Sequence, residues 1–174
     1  MFNRHLLLIS ITSLLGILLS CGGPELPESI QQVYHELTKQ VDFNQDIKPI
    51  LSDKCFICHG PDKSKVKASL QLHLPELAYA ELKGSPGKFA IRPGNLNNSQ
   101  LVHRILSDDP NIVMPKPESH LKLTEREKAL LIKWIDQGAP YKKHWAFLIP
   151  QVSQLPIVKL KEKIANPIDN FILA

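Results

Sequence analysis

The sequence has no apolar run long enough to hold it across a bilayer, little net charge and very little sulfur. Its longest uncharged apolar stretch, residues 6–19, spans fourteen positions and is broken by Ser10, Thr12, Ser13 and Gly16, short of the roughly 20 residues a spanning helix needs. A net charge of +4, from 21 basic and 17 acidic side chains in 174 residues, is too weak and too scattered for a nucleic-acid-binding surface. Alternating β-branched patterns are scarce, so no strand ladder is expected. There are only three cysteines and two methionines, and an odd cysteine count rules out complete pairing into disulfides within one chain. Proline is the one residue in excess, at 14, or about 8% against a usual ~5%. With 43% apolar and 22% charged residues the chain is too polar for a membrane bundle and too apolar for a disordered tail, which leaves one modest globular domain.

The N-terminus has the pattern of an export signal: a short basic start through Arg4, an apolar run, then a small-residue exit. That exit, Leu18-Leu19-Ser20-Cys21, resembles the lipobox of bacterial lipoproteins, in which the cysteine is lipidated and becomes the new N-terminus. Residues 1–20 are therefore expected to be a lipoprotein signal peptide and Cys21 the lipidation site, which places the protein outside the inner membrane as an anchored lipoprotein facing the periplasm or cell surface. Removing residues 1–20 deletes Arg4 and no acid, so the mature chain stays weakly basic. Residues 21–41 read as a tether followed by a spacer helix. Gly22-Gly23-Pro24 is flexible, Ser29-Ile30-Gln31-Gln32 has capping-box spacing, and Ile30, Val33, Tyr34, Leu37 and Val41 form one apolar stripe suited to docking on the following domain.

The main domain is expected at 42–145. Phe43, Ile47, Ile50 and Leu51 make a first helical stripe, with Asp46 as the expected N-cap and Pro49 in the first turn, where its missing donor does no harm. Thr124-Glu125-Arg126-Glu127 is a second capping box, followed by Leu130, Leu131, Trp134 and Ile135 on one face and Gly138 as a stop. A shorter helix over 99–106 carries Leu101, Val102, Ile105 and Leu106, capped by Asn98 or Ser99. Seven prolines fall between His59 and Glu125. A domain of this size with so much irregular chain is marginal on apolar burial alone, which points to a bound cofactor that organises the loops.

Cys55-Phe56-Ile57-Cys58-His59 is the C-x-x-C-H pattern of c-type haem attachment. Two thiols about one helical turn apart reach the two vinyl groups on one edge of a porphyrin, and the adjacent imidazole turns under the iron. Export supports this, because bacteria attach haem c after the chain has crossed the inner membrane. Two other readings compete. A zinc site would use Cys55, Cys58 and two histidines, but adjacent Cys58 and His59 suit a tetrahedral site badly, and no second C-x-x-C or H-x-x-x-H is present. A thiol–disulfide motif places its reactive cysteine at a helix N-terminus, whereas Cys55 follows an apolar-striped helix. With His59 as proximal ligand, the sixth ligand would be Met114 or one of His73, His103, His120 and His144. Met114 is the best candidate, the one methionine besides the initiator, in a loop between two helices. The competing role for a lone methionine is core filling, and that for each histidine is a solvated side chain, with His103 and His120 in reserve. Methionine–histidine ligation leaves no vacant site on the iron, so the expected task is electron transfer. Lys54, Lys63, Lys65 and Lys67 crowd the motif and are either a steering patch for an acidic redox partner or a solvated face.

The combined motifs resemble the planctomycete-type cytochrome c domain. The resemblance rests on Asp42-Phe43-Asn44, Ile47 to Ser52, Cys55 to Asp62, Ile91-Arg92-Pro93-Gly94-Asn95, Ser99-Gln100-Leu101, Arg104-Ile105, Met114-Pro115, Leu123-Thr124, Trp134 to Pro140 and His144 to Phe147. It implies an all-α, small cytochrome c-like fold with short helices and long loops around one covalent haem c. It implies Cys55 and Cys58 as attachment points, His59 as proximal ligand and Met114 as distal ligand. Two departures stand out: Pro115 is followed by Lys116 where the family usually has a second proline, and a common glycine-leucine run is replaced by Ala68-Ser69-Leu70-Gln71-Leu72. In such proteins the cytochrome domain opens a larger chain, and residues 146–174 read as a linker plus the start of a following domain, with Asn166 as cap and Pro167 as first helical residue. The resulting expectation is a lipid-anchored electron carrier that is not itself an enzyme. A haem-based sensory or accessory module and a zinc- or disulfide-stabilised binding domain are the alternatives.

Overall fold

A computed structural model describes residues 23–37, 39–143, 145–147, 149, 154–159 and 163–174. The signal peptide expected at 1–20, Cys21 and His144 lie outside the described residues. The chain divides into two compact units between Lys142 and Lys143, three residues before the boundary expected after Trp145. Among the described residues the architecture is helical, and the only extended pairings are isolated bridges from Phe89 to Glu81 and to Ser99. The fold is all-α and cytochrome-like, as expected.

The first unit is built on the helix Glu125–Asp136, here α6. Its capping box forms as the sequence predicts: Thr124 Oγ1 accepts from Glu127 N, and Thr124 N donates to Glu127 Oε2 at 2.7 Å. Ala129, Leu130, Leu131, Ile132, Trp134 and Ile135 are buried. Gly138 ends the helix at φ 91°, a left-handed conformation that glycine reaches without the Cβ penalty.

Three elements cover this helix. The first, α1, is Glu28–Glu36; it packs along α6 and buries Ile30, so the apolar stripe does dock on the domain. The capping box expected at Ser29 does not form. Pro27 is the N-cap, and Ser29 Oγ donates instead to Glu125 Oε2 at 3.0 Å, stitching the starts of α1 and α6 together. At the other end Lys133 Nζ donates to the carbonyls of Tyr34 and Leu37 at 3.1 and 3.2 Å, a cation on the negative end of α1. Next come a π-helical turn, Phe43–Ile47, and α2, Lys48–Lys54, with Pro49 in its first turn. The cap is Asp42 rather than Asp46: Asp42 Oδ1 accepts from Asn44 N and Gln45 N. Asp46 Oδ2 instead accepts from Asp42 N at 2.8 Å, because the wider π turn moves the helix start back by four residues. After the short helices α3, Phe56–His59, and α4, Pro75–Ala78, the third cover is α5, Gln100–Leu106, which buries Val102 and Ile105. Ser99 is its N-cap by position only. The Ser99 hydroxyl is fully buried and ties the loop before the helix, accepting from Arg92 N at 2.8 Å and donating to Asn95 O at 2.7 Å.

In the second unit α7, Pro167–Ile172, starts as expected: Asn166 Oδ1 accepts from Ile168 N, and Asp169 closes a capping box.

Substituting Ser99→Ala leaves the Arg92 N–H without its acceptor inside the 92–99 loop. We expect a loss of about 1–3 kcal/mol, read as a lower urea midpoint at unchanged slope; an unchanged midpoint would show that the hydroxyl does not hold the loop.

Candidate haem site

Cys55 terminates α2, its N–H bonded to Leu51 O at 2.9 Å, so one apolar-striped helix delivers the first thiol. The chain then makes a single helical turn. Cys58 N and His59 N both donate to Cys55 O, at 3.1 and 2.9 Å, which fixes the second thiol and the imidazole relative to the first. Gly60 has to follow, because a Cβ there would collide with the backbone carbonyl of Phe56. The loop beyond folds back and satisfies the free carbonyls of the turn: Lys67 N donates to Cys58 O at 2.8 Å and Leu72 N to His59 O at 2.7 Å. Leu72 is itself held by Tyr141, whose hydroxyl donates to Leu72 O at 2.8 Å. Tyr141 packs against Phe43 and Trp134, with ring centroids 4.7 and 5.2 Å away, so the motif's back wall is anchored in the α6 core.

Cys55 and Cys58 are half-buried and not joined in a disulfide. Burial pushes the Cys55 thiol up to about 12, and the Glu127 carboxylate adds to the effect. That is the reverse of a redox-active thiol, whose reactivity needs a lowered pKa. The zinc alternative lacks ligands: among the described residues no group of three or more His, Cys, Asp and Glu is placed to hold a metal ion. His59 differs from both cysteines. Its Nδ1 is buried and has no partner in good hydrogen-bond geometry, and backbone groups of Leu70 and Lys67 lie within hydrogen-bonding reach of the ring. Burial lowers the His59 pKa, the two backbone neighbours oppose this, and the positive charge of Arg104 adds to the lowering. The ring is thus kept neutral, with a lone pair available to an iron. A buried imidazole nitrogen left unpaired behind two unpaired thiols fits haem c.

Met114 lies elsewhere on the unit. It lines a cleft of about 710 Å³ with Ile105, Val113, His120, Leu123 and Lys128, and neither the cysteines nor His59 line that cleft. Two connections bring the regions together. Met114 N donates to the carbonyl of Arg104 at 3.1 Å, and the charge of Arg104 reaches His59. The first turn of α6 sets Glu127 near Cys55 and Lys128 in the cleft wall. Of the reserve histidines, His120 shares the cleft, whereas His103 Nε2 is engaged with Asn97 O at 2.6 Å. His73 packs edge-on to Phe56, its Nδ1 buried and unpaired. Lys54 is paired with Asp53 at 2.6 Å and Lys65 with Asp62 at 3.5 Å; Lys63 and Lys67 are exposed beside them.

Sequence reasoning missed Tyr141 and the closing loop. The loop's role is carried by main-chain N–H groups that any residue provides. Its geometry leaves one trace: Ala68 and Ser69 take φ of 53° and 56°, a left-handed conformation unfavourable to residues with a Cβ. These positions fall in the run where the sequence departs from the domain it resembles.

An all-helical unit that presents C-x-x-C-H at a helix end, with the imidazole buried, is compatible with a c-type cytochrome domain. Residues 55–118, from the first thiol to just beyond Met114, match the family described as Planctomycete cytochrome C. The chain is also 27% identical over 146 residues to the hydrazine synthase subunit alpha of Kuenenia stuttgartiensis, a match that covers 69% of this chain and 18% of that protein. The chain thus spans about a fifth of that relative's length. No solved structure matches it. A cytochrome c family implies haem c as cofactor, and the Cys55–Cys58 spacing is compatible with its attachment. Cytochrome c domains are typically exported proteins, and among the described residues no helix is long and apolar enough to cross a membrane.

Two predictions follow from the loop and its supports. Ala68→Gly removes a Cβ from a left-handed position and is expected to stabilise the unit by up to about 1 kcal/mol; a lower thermal midpoint would contradict the strain. Asp42 caps the turn that leads into α2, and its bond to Lys142 at 2.6 Å, with the backbone donors, holds its carboxyl below the usual carboxylate range. A carboxylate depressed on folding stabilises above its unfolded pKa and loses that contribution as pH falls through the folded value. Asp42→Asn should therefore be less stable than the parent at pH 7, and the gap should close in acid below the carboxylate range; a gap that stays constant between pH 7 and pH 3 would refute the ion pair's role.

Proposed function

We propose that this chain is an exported, lipid-anchored c-type cytochrome domain that binds one haem c and carries single electrons. Cys55 and Cys58 would hold the haem as thioethers, and His59 and Met114 would serve as ligands to its iron. The observation that carries the reading is the buried, unpartnered Nδ1 of His59 directly after two unpaired thiols. When bound, the haem supplies a one-electron ferric/ferrous couple, and methionine–histidine ligation raises its potential relative to bis-histidine ligation.

The chain's own residues do the rest. Burial keeps the Cys55 thiol protonated and so resistant to disulfide exchange until it is attached. Burial also keeps His59 neutral and fit to bind metal. The Phe43, Trp134 and Tyr141 cluster shields the motif's back wall from water, while Ile57 within the motif is 58% exposed. Lys63 and Lys67, exposed on the adjoining loop, steer an acidic redox partner. Cys21 anchors the chain by lipid, so the domain works at a membrane surface without spanning it. The domain is not an enzyme by itself. The hydrazine synthase relative is a much longer protein, so any chemistry of further domains would be separate from this electron-carrying role.

The test is an absorption spectrum of the protein made in a host with c-type maturation machinery. Haem retained after acid–acetone extraction is expected, and its loss there would defeat the haem reading. Met114→Ala should abolish the ferric methionine–sulfur charge-transfer band at the red edge and lower the reduction potential; a band that persists places the sixth ligand elsewhere. Ligand binding by the unmodified ferrous protein at native pH would favour a sensory module over a carrier.

A further inference from the structure

Arg104 belongs to a motif that the electron-carrying role does not by itself explain. It lies on α5, whose buried residues are Val102 and Ile105, and it is half-buried rather than free in solvent. Its Nη1 donates to Ile112 O at 3.3 Å, and its own carbonyl accepts from Met114 N at 3.1 Å. On the other side its charge reaches the His59 imidazole. Arg104 is therefore tied to the Met114 loop through its side chain and its carbonyl, and its charge is felt at His59. Among the described residues no carboxylate pairs with it; the four ion pairs found all use lysine.

A guanidinium offers five N–H donors in a planar fork that matches a carboxylate. One backbone carbonyl uses one of them. Arg104 is half-buried with no counter-charge among the described residues, and Arg is the residue suited to a partly buried ion pair. Haem c brings two carboxylates, its propionates, which leave the macrocycle on the edge opposite the thioethers. We propose that Arg104 is the binding partner of a haem propionate and ties the free edge of the macrocycle to α5, while the Ile112 carbonyl holds the guanidinium in place. This rests on the haem reading above and adds to it a residue that pairs with the cofactor's acid groups.

The experiment uses the haem-loaded full chain and its Arg104→Gln and Arg104→Lys variants. It records the propionate bending band by resonance Raman, the midpoint potential and the ferric methionine band. In Arg104→Gln we expect covalent haem and the methionine band to be retained, the propionate band to move to lower frequency, and the potential to fall because a carboxylate near the iron loses its counter-charge. Arg104→Lys should recover most of the potential without recovering the band, since an ammonium is a point charge and not a fork. A propionate band in Arg104→Gln identical to that of the parent overturns the assignment. So does loss of the methionine band in both variants with the propionate band unmoved, which would make Arg104 only a brace for the Met114 loop. Absence of covalent haem in the unmodified protein defeats the haem reading instead, so the two failures are distinguishable.

Discussion

The first unit depends on the burial of α6 on nearly every side. A helix of twelve residues that buries Ala129, Leu130, Leu131, Ile132, Trp134 and Ile135 has an apolar surface too wide for one partner. Each large side chain contributes about 1.5–3 kcal/mol when taken out of water, but only if something covers it. The chain supplies the cover from three separated places: α1 before the haem motif, the π turn leading into it, and α5 beyond the closing loop. This arrangement puts the motif at the centre. The turn that covers α6 is continuous with α2, α2 ends at Cys55, and the aromatic cluster around Trp134 reaches through Tyr141 to Leu72 and so to the carbonyl of His59.

That dependence explains why some polar side chains depart from the local roles their spacing suggests. Ser29 and Thr124 both sit in capping-box patterns, yet only Thr124 forms one. The start of α1 lies against the start of α6, and the Ser29 hydroxyl gains more by reaching Glu125 than by capping its own helix, whose N-terminus already follows Pro27. Ser99 gives up a capping bond for a similar reason, since the loop from Arg92 to Asn95 must turn sharply beside α6 and its backbone groups need partners there. Asp42 displaces Asp46 as cap because the π turn adds a residue to the local repeat. A pattern reader assumes α-helical spacing and places the cap inside the turn.

What the sequence made legible was the chemistry and the strongly periodic segments. The C-x-x-C-H motif, the α6 face with its Thr124 and Gly138 boundaries, the stripe from Ile30 to Val41 and the Asn166-Pro167 start are side-chain signals, and side-chain identity is what a sequence records. The closing loop was not legible, because Lys67 and Leu72 act there through main-chain N–H groups. Tyr141 was not legible either: it lies near the end of the unit in sequence, 69 residues from the Leu72 carbonyl it holds. Departures from the family pattern were visible, but their meaning needed backbone angles. Ala68 and Ser69 stand where the chain turns left-handed.

The proline excess and the irregular middle then have a physical reading. A regular helix satisfies its own carbonyls and N–H groups and leaves none free to shape a cavity, while a loop must place each one on a partner. Between Gly60 and Leu123 most partners lie within the loops, but some belong to the site: the motif's carbonyls take the N–H groups of Lys67 and Leu72, the carbonyl of Arg104 takes that of Met114, and the carbonyl of Ile112 takes the guanidinium. Proline lowers the entropy cost of fixing such a chain by removing freedom from its unfolded state. Among the described residues the Nδ1 of His59 has no hydrogen-bond partner and only one Arg104 donor meets an acceptor, the first on a neutral ring and the second on a cation. A porphyrin carrying an iron at its centre and carboxylates at its edge meets both demands at once, whereas a bare metal ion or a disulfide would answer only the first or neither. The irregular segment is therefore better described as chain folded around two unmet electronic requirements than as chain that failed to form helix.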